Sequence, residues 1–173
     1  ERVRQIQESA ITKIQPRTEM CQPAFGHFEN ELHSHGGLKR EDFLLDLLGG
    51  QKYQNEVFFL LTLGKPFLRF PETDERHTFW MTGSKTPASI NKKTNSFHKF
   101  LSQKKSPVVL SDISAWKFFG KDSDKEKINS LSLQAFQSLL EVSKKIQKNQ
   151  EGFWGLKEWP EINPRGIKDR AYL

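Results

Sequence analysis

The sequence predicts a mainly α-helical fold with small β-hairpins, an α+β protein, and three observations support this prediction. Apolar residues recur at helical spacings of three and four through most of the chain. Two stretches, residues 65–82 and 152–162, instead place aromatic and aliphatic residues around turn-forming Gly, Pro and acidic residues. The 14 Phe and 4 Trp supply large apolar side chains although hydrophobic residues make up only 35% of the 173 residues. We therefore expect a globular chain, long enough for two small domains.

The first half has the order helix, helix, helix, hairpin. After an amphipathic N-terminal helix in residues 1–15, three helices are predicted in residues 23–35, 39–48 and 51–63, each followed by Gly. Residues 65–82 then read as a β-hairpin with a polar turn. This is the order of a winged helix-turn-helix, so residues 16–84 are predicted to form a first winged-helix-like unit.

A second unit of the same type is predicted in residues 85–163, after a boundary rich in Gly, Ser and Pro. Its expected elements are listed in chain order: a helix in residues 90–105, a short helix or extended piece in 110–119, a long helix in 130–148, and a second, shorter wing in 152–156 and 159–162. Residues 164–173 would start a further helical module. The fold predicted for the whole chain is thus tandem winged helix-turn-helix-like units.

Positive charge is concentrated in the second unit. Residues 1–84 contain 10 Lys and Arg against 12 Asp and Glu, whereas residues 85–150 contain 13 Lys against 5 acids. Lysines are point charges suited to phosphates, so the sequence predicts a nucleic-acid partner. The predicted DNA-binding residues of this unit are Lys92, Lys93, Lys99, Gln134, Gln137, Lys144, Lys145 and Lys148. The alternative is a lysine-rich face that is merely solvated.

Two other surfaces have competing interpretations. The third helix of the first unit, residues 51–63, and the wing residues Arg69, Arg76 and His77 would face DNA in a winged helix, but this unit is net acidic, which favours protein docking or a structural role. Trp154 and Trp159 could stack on bases. Their alternation with Gly and Pro favours a hairpin packed against the long helix.

The sequence contains no pattern typical of an enzyme or of a cofactor site. It has no Gly-x-Ser-x-Gly elbow, phosphate-binding loop or His-Glu-x-x-His motif, so we expect no enzyme, no catalytic residue and no cofactor. Cys21, His27, His33 and His35 match no zinc spacing, so we expect no metal. A single Cys fits a reducing cytosol, and no apolar run approaches a membrane span. The expected location is the cytoplasm, in association with the nucleoid.

Residues 1–14, Glu-Arg-Val-Arg-Gln-Ile-Gln-Glu-Ser-Ala-Ile-Thr-Lys-Ile, resemble the recognition helix in region 4 of the bacterial sigma-70 family. In that family the helix lies in the major groove of the promoter's −35 element. The resemblance implies that Glu1 and Gln5 read bases and that Arg2 and Arg4 contact phosphates. It also implies that a sigma region 4 precedes this segment, with residues 1–15 as the end of its recognition helix.

Residues 154–173 look like the lead-in to a HARE-HTH domain, a module similar to the winged helix of the RNA polymerase delta subunit. Together the two resemblances predict a sigma-factor-like protein for transcription initiation or regulation. Its partners would be double-stranded, promoter-like DNA and, as a second partner, the RNA polymerase core. No membrane partner is expected. The alternative is an adaptor that binds RNA polymerase or another protein and has no DNA affinity of its own.

Overall fold

The computed structural model describes residues 2–83, 87–113 and 130–164, and within them the chain is a mixture of helices and short antiparallel strands. The α+β class predicted from the sequence is therefore confirmed. The helices are α1 Arg2–Ile14, α2 Gln22–Ser34, α3 Glu41–Gly49, α4 Gln54–Leu63, α5 Pro87–Lys104 and α6 Ser130–Glu141. The strands are β1 Leu38–Arg40, β2 Leu68–Phe70, β3 Phe79–Met81, β4 Ile146–Lys148 and β5 Trp154–Leu156. Two 3-10 segments, Gln15–Cys21 and Leu110–Asp112, complete the described elements.

The predicted helix in residues 39–48 begins later than expected, because the chain first forms strand β1. Gly36 and Gly37 both have positive φ angles, 76° and 78°, and turn the chain out of α2. Helix α3 then starts at Glu41, and Glu41 and Asp42 place negative charge in its first turn, where the helix dipole favours it. Residues 38–40 therefore belong to the sheet, which the sequence prediction missed.

The predicted hairpin is present and gains β1 as a third strand. The strand order is β1-β3-β2, with both pairs antiparallel, and Met81 lies opposite Leu38 of β1 and Leu68 of β2. Side chains alternate between the two faces of a strand. Phe79 and Met81 accordingly enter one hydrophobic core, while Trp80 between them enters the other. All three residues of β3 are buried, so this strand is covered on both faces.

Two cores flank the sheet. The first joins α2, α3 and α4, with buried Phe25, Leu32 and Leu61 and with Trp80 from β3. The second joins α5, α6 and the β4–β5 hairpin to Leu38, Phe79 and Met81 of the sheet. Residues from both sides of the boundary predicted between residues 84 and 85 thus share the second core. The predicted boundary marks a change of charge along the chain, and the second core extends across it.

The long helix predicted in residues 130–148 ends at Glu141, and its last three residues form β4. The prediction placed Leu133, Phe136, Leu140 and Ile146 on the inner face of one helix, and the last three of these are buried, although Ile146 is buried from a strand. The backbone instead turns at Ser143, which bridges to Arg76 in the β2–β3 loop. The second wing also has different strands from those predicted, since β5 pairs with β4 and residues 159–162 form turns.

Helix α1 is present as predicted, but its apolar stripe faces outward. Val3 and Ile6 are 79% and 62% exposed, and Ile14 is also exposed. Contact with the first core comes from Ile11 instead. Within the described ranges, no helix combines the length and the apolar character that crossing a membrane would need. The predicted helix at the C-terminal end, apart from Pro164, lies outside the described residues.

Candidate nucleic-acid interface

Helix α5 carries a basic and polar outer face. Its inner face is formed by Ile90, Thr94, Phe97 and Leu101, which are buried at helical spacing. The outer face places the predicted residues Lys92 and Lys99 in solvent, and they share it with the polar residues Asn95, Ser96, Ser102 and Gln103. The sequence from Arg76 to Ser111 contains no Asp or Glu. No acid of its own segment therefore offsets the positive charge of α5.

Lys93 lies at the edge of this face and is half-buried, beside Ala135 and Leu139 of α6. Lys104 and Lys105, at the end of the helix, are exposed. Five of the thirteen lysines in residues 85–150 fall in the parts of the chain that are not described. The described members of the group are Lys92, Lys93, Lys99, Lys104, Lys105, Lys144, Lys145 and Lys148.

The two glutamines predicted on α6 have different surroundings. Gln134 is exposed. Gln137 is half-buried, and its Nε2 donates a hydrogen bond to Oε1 of Glu141 at 3.0 Å. Glu141 Oε2 also lies 3.5 Å from Nζ of Lys39, which is buried. Gln137 thus belongs to a polar group between α6 and β1 rather than to an open surface.

Lys144, Lys145 and Lys148 do not lie on a helix, contrary to the prediction, because α6 ends before them. Lys144 forms an ion pair with Glu72, and Nζ of Lys145 lies 3.0 Å from Oε1 of Glu75. Both acids belong to the β2–β3 loop, so these two lysines dock the turn after α6 onto that loop. Lys148 is exposed on β4 and has no side-chain ion pair or hydrogen bond to another described residue.

A cleft of about 390 Å³ lies between the β1–α3 junction and the β4–β5 hairpin. Five basic side chains line it: Arg40, His77, Lys144, Lys148 and Lys157. Phe43 lies in the same cleft, with the Arg40 guanidinium carbon 4.7 Å from its ring centre. We call this site the basic cleft. The sequence prediction included Lys144 and Lys148 for another reason and missed Arg40 and Lys157, because strand β1 and the pairing of β4 with β5 were not predicted.

The electrostatics of the basic cleft favour an anion. Burial lowers the pKa of His77, and the nearby charges of Arg40 and Lys144 lower it further, whereas Glu72 and Asp42 oppose the shift. Among the described residues that line the cleft, Glu141 is the only acid, and Lys39 already pairs with it. Arg40 pairs with Asp42, and Lys144 pairs with Glu72. The side chains of these two acids are more than half exposed, and neither acid lines the cleft.

The wing residues of the first unit are largely engaged within the protein. Arg69 donates hydrogen bonds from Nε and NH2 to the two carboxylate oxygens of Glu41, at 2.6 and 2.8 Å, and the bond to Glu41 raises the pKa of Arg69. The Nε and Nη1 atoms of Arg76 are buried and have no hydrogen-bond partner among the described residues. Helix α4 contains no Lys or Arg, and it exposes Phe59 at 53%.

At the N-terminus, Arg2 and Gln5 are exposed on α1, as a DNA contact would need. Glu1 and the side chain of Arg4 fall outside what the structure describes. The exposed stripe of Val3 and Ile6 lies on the same helix.

The aromatic and potential metal-binding residues have structural surroundings. Trp154 is only 3% exposed and packs in the second core, with Trp159 against it. His35 is buried, with Nδ1 2.9 Å from both Ser34 Oγ and the Glu31 carbonyl oxygen. In residues 2–83, 87–113 and 130–164, no group of His, Cys, Asp and Glu could hold a metal ion. Comparison of the chain with protein-family models, curated proteins and solved structures found no match.

Proposed function

We propose that this chain is a DNA-binding protein of transcription initiation or regulation, which contacts the phosphates of duplex DNA through the outer face of α5. The observation that carries the proposal is the exposure of Lys92 and Lys99 among polar residues in a segment without acids. Protonated amines neutralise phosphates without reading sequence. Asn95 and Gln103 on the same face supply amide groups, which pair with base edges in known complexes.

The order of the elements supports the same proposal. In the first half it is α2-β1-α3-α4-β2-β3, and the sheet order is β1-β3-β2. This is a helical unit closed by a hairpin, as in a winged helix-turn-helix. The second half also ends in a hairpin, β4–β5, after helices α5 and α6. We therefore propose two winged-helix-like units that share the central sheet, and we place duplex contact on the second.

The sigma-70 resemblance of residues 1–14 supports a role in transcription, and Arg2 and Gln5 are exposed, as a phosphate contact and a base contact would require. This part of the proposal extends to a promoter-like duplex as the partner, the RNA polymerase core as a second partner, and a cytoplasmic, nucleoid-associated location. The HARE-HTH resemblance of residues 154–173 supports the same role in transcription.

The proposal is tested by fluorescence anisotropy with a labelled duplex of about 20 base pairs at low salt. Lys92→Glu combined with Lys99→Glu should weaken binding by at least about tenfold, since two attractive contacts become repulsive. Lys52→Glu combined with Lys65→Glu, at two exposed lysines of the first half, changes the net charge by the same amount and is the control. Equal losses in both variants would mean that only the net charge matters, and they would remove α5 from the interface.

An adaptor without DNA affinity is the second candidate, and the surface of the first half favours it. Exposed apolar residues lie on α3, on β2, and on α4 with the turn before it: Phe43, Leu47, Tyr53, Phe59 and Leu68. Exposed aromatic residues are typical of protein interfaces. If duplex binding is undetectable at low salt while the chain still co-purifies with RNA polymerase and Phe59→Ser abolishes this, the adaptor is the correct function.

A further inference from the structure

We infer that the basic cleft binds the phosphate group of a nucleotide. This site is separate from the outer face of α5, which contributes no residue to its lining. It combines residues of β1, the β2–β3 loop and the β4–β5 hairpin, which only the folded chain brings together. The inference does not rest on duplex binding by α5.

The charges in the cleft are available to a ligand. Lys148 and Lys157 have no side-chain partner among the described residues. Arg40 and Lys144 pair with Asp42 and Glu72, whose side chains are 53% and 58% exposed. Exposed ion pairs contribute little to stability, so a phosphate can replace these carboxylates at small cost. Arg can bind phosphate through two parallel hydrogen bonds, and Lys supplies a mobile charge.

The size and lining of the cleft favour a nucleotide over a bare anion. Its volume of about 390 Å³ falls in the range of small-molecule sites, roughly 300 to 1,000 Å³. Phe43, which is 41% exposed, offers a ring surface next to the cations, and Ile146 and Trp154 add apolar walls. Aromatic side chains stack on nucleobases, so Phe43 can hold the base while the cations hold the phosphate.

The same chemistry could be supplied by a free nucleotide or by a nucleotide within a single strand. Two-dimensional NMR of the ¹⁵N-labelled chain tests the shared part with adenosine 5′-monophosphate, inorganic phosphate and uncharged adenosine as probes. The monophosphate should shift the amide signals of Gln147, Lys148 and Lys157. Inorganic phosphate should shift the same signals at higher concentration, and adenosine should leave them nearly unchanged.

Lys148→Gln combined with Lys157→Gln should weaken binding of the monophosphate by about tenfold, because two phosphate contacts are lost. Lys65→Gln, an exposed lysine between α4 and β2, should have no effect. Lys148→Arg, which keeps the charge, should retain binding. Absence of amide shifts at millimolar monophosphate, or an equal loss in the Lys65 control, would overturn the inference.

A thymidine octanucleotide, with and without a 5′-phosphate, then distinguishes the two sources. Displacement of the monophosphate from the cleft by either octanucleotide would identify a strand as the ligand, and failure of both to displace it would identify a free nucleotide. The Lys92→Glu and Lys99→Glu variant should bind the monophosphate as the wild type does. The test of duplex binding by α5 and the test of monophosphate binding in the basic cleft can therefore fail independently of each other.

Discussion

Nε1 of Trp80 donates a hydrogen bond to Oε2 of Glu41 at 2.9 Å, and this bond links the central strand to the start of α3. Glu41 also accepts the two hydrogen bonds from Arg69 on β2. One carboxylate thus satisfies an indole and a guanidinium from two neighbouring strands. Trp80 is 2% exposed, with its ring 5.9 Å from that of Phe58 in an edge-on contact, so its N–H has little access to water.

Replacing Glu41 by Ala should lower the free energy of unfolding by about 2 to 3 kcal/mol, because the buried Trp80 N–H loses its acceptor. The ion pair with Arg69 adds little to this value, since Arg69 is 41% exposed and screened by water. Urea denaturation measures the change. Glu56→Ala on the exposed face of α4 is the control and should stay within about 0.5 kcal/mol of the wild type. An equally small change for Glu41→Ala would show that the network does not stabilise the sheet.

The ion pair of Lys39 and Glu141 should couple the two halves of the chain. Both side chains are 11% exposed, and the pair joins β1 to α6 across the change of charge along the sequence. A double-mutant cycle with Lys39→Met and Glu141→Gln should give a coupling energy of about 1 to 2 kcal/mol. Unfolding should also be a single transition, because the second core contains residues of both halves. Two separate transitions with no coupling would mean that the tandem units fold independently.

Gly36 should be sensitive to substitution because α6 lies against it. A Cβ atom built there would be 2.5 Å from Cβ of Ala135, and the φ angle is +76°. Gly83, with φ +82° and open space around it, is the matched control for the backbone cost alone. We expect Gly83→Ala to cost about 1 kcal/mol and Gly36→Ala about 1 to 3 kcal/mol more, by thermal denaturation. Restoration of part of the loss by Ala135→Gly would confirm the contact, whereas equal costs at the two glycines would contradict it.

The sequence predicted the elements whose apolar period extends over several turns or over a whole hairpin. Helices α2, α4 and α5 and the β2–β3 pair were found in this way. Strand β1 is three residues long, like β2 and β3, but it pairs with β3 across α3 and α4 rather than across a local turn, so no hairpin pattern marks it. Strand β4 was missed because Ile146 was assigned to the inner face of the long helix, with Phe136 and Leu140. For β1 and β4, packing within the folded chain determined the secondary structure, rather than the local pattern of apolar residues.

The basic cleft could not be predicted for a related reason. Arg40 and Lys148 are more than one hundred positions apart in the sequence. They line the same cleft because they lie on strands β1 and β4, and the sequence predicted neither strand. The lysine-rich composition predicts a surface for a polyanion, and this stays a prediction. It did not show that Lys144 and Lys145 pair with Glu72 and Glu75, because nothing local distinguishes a paired lysine from an unpaired one.

His77 should make the folded state less stable in mild acid. Burial, Arg40 and Lys144 lower its pKa in the folded chain, against the opposing effect of Glu72 and Asp42. As the pH falls below about 6.5, the unfolded chain takes up a proton that the folded chain resists, so stability present above that pH is lost.

Urea denaturation between pH 7.5 and 5.5 measures this loss, and His77→Gln should reduce it. His33→Gln, at an exposed position, is the matched control. A phosphate in the basic cleft should raise the pKa of His77, which NMR titration would detect. The same pH dependence in the wild type and the His77 variant would assign it to another group.

Neutralising the outer face of α5 should reduce the salt dependence of duplex binding. The slope of log K against log salt concentration is negative, and each phosphate contact that is lost reduces its magnitude by about 0.9. Lys92→Gln combined with Lys99→Gln should therefore reduce the magnitude of the slope by about 2, measured by anisotropy between about 50 and 200 mM salt, a range over which affinity depends strongly on salt. Lys52→Gln should leave the slope unchanged. If the affinity falls while the slope stays that of the wild type, these lysines act through the stability of the helix. The reason is that each phosphate contact releases counterions on binding, so losing the contact must change the slope.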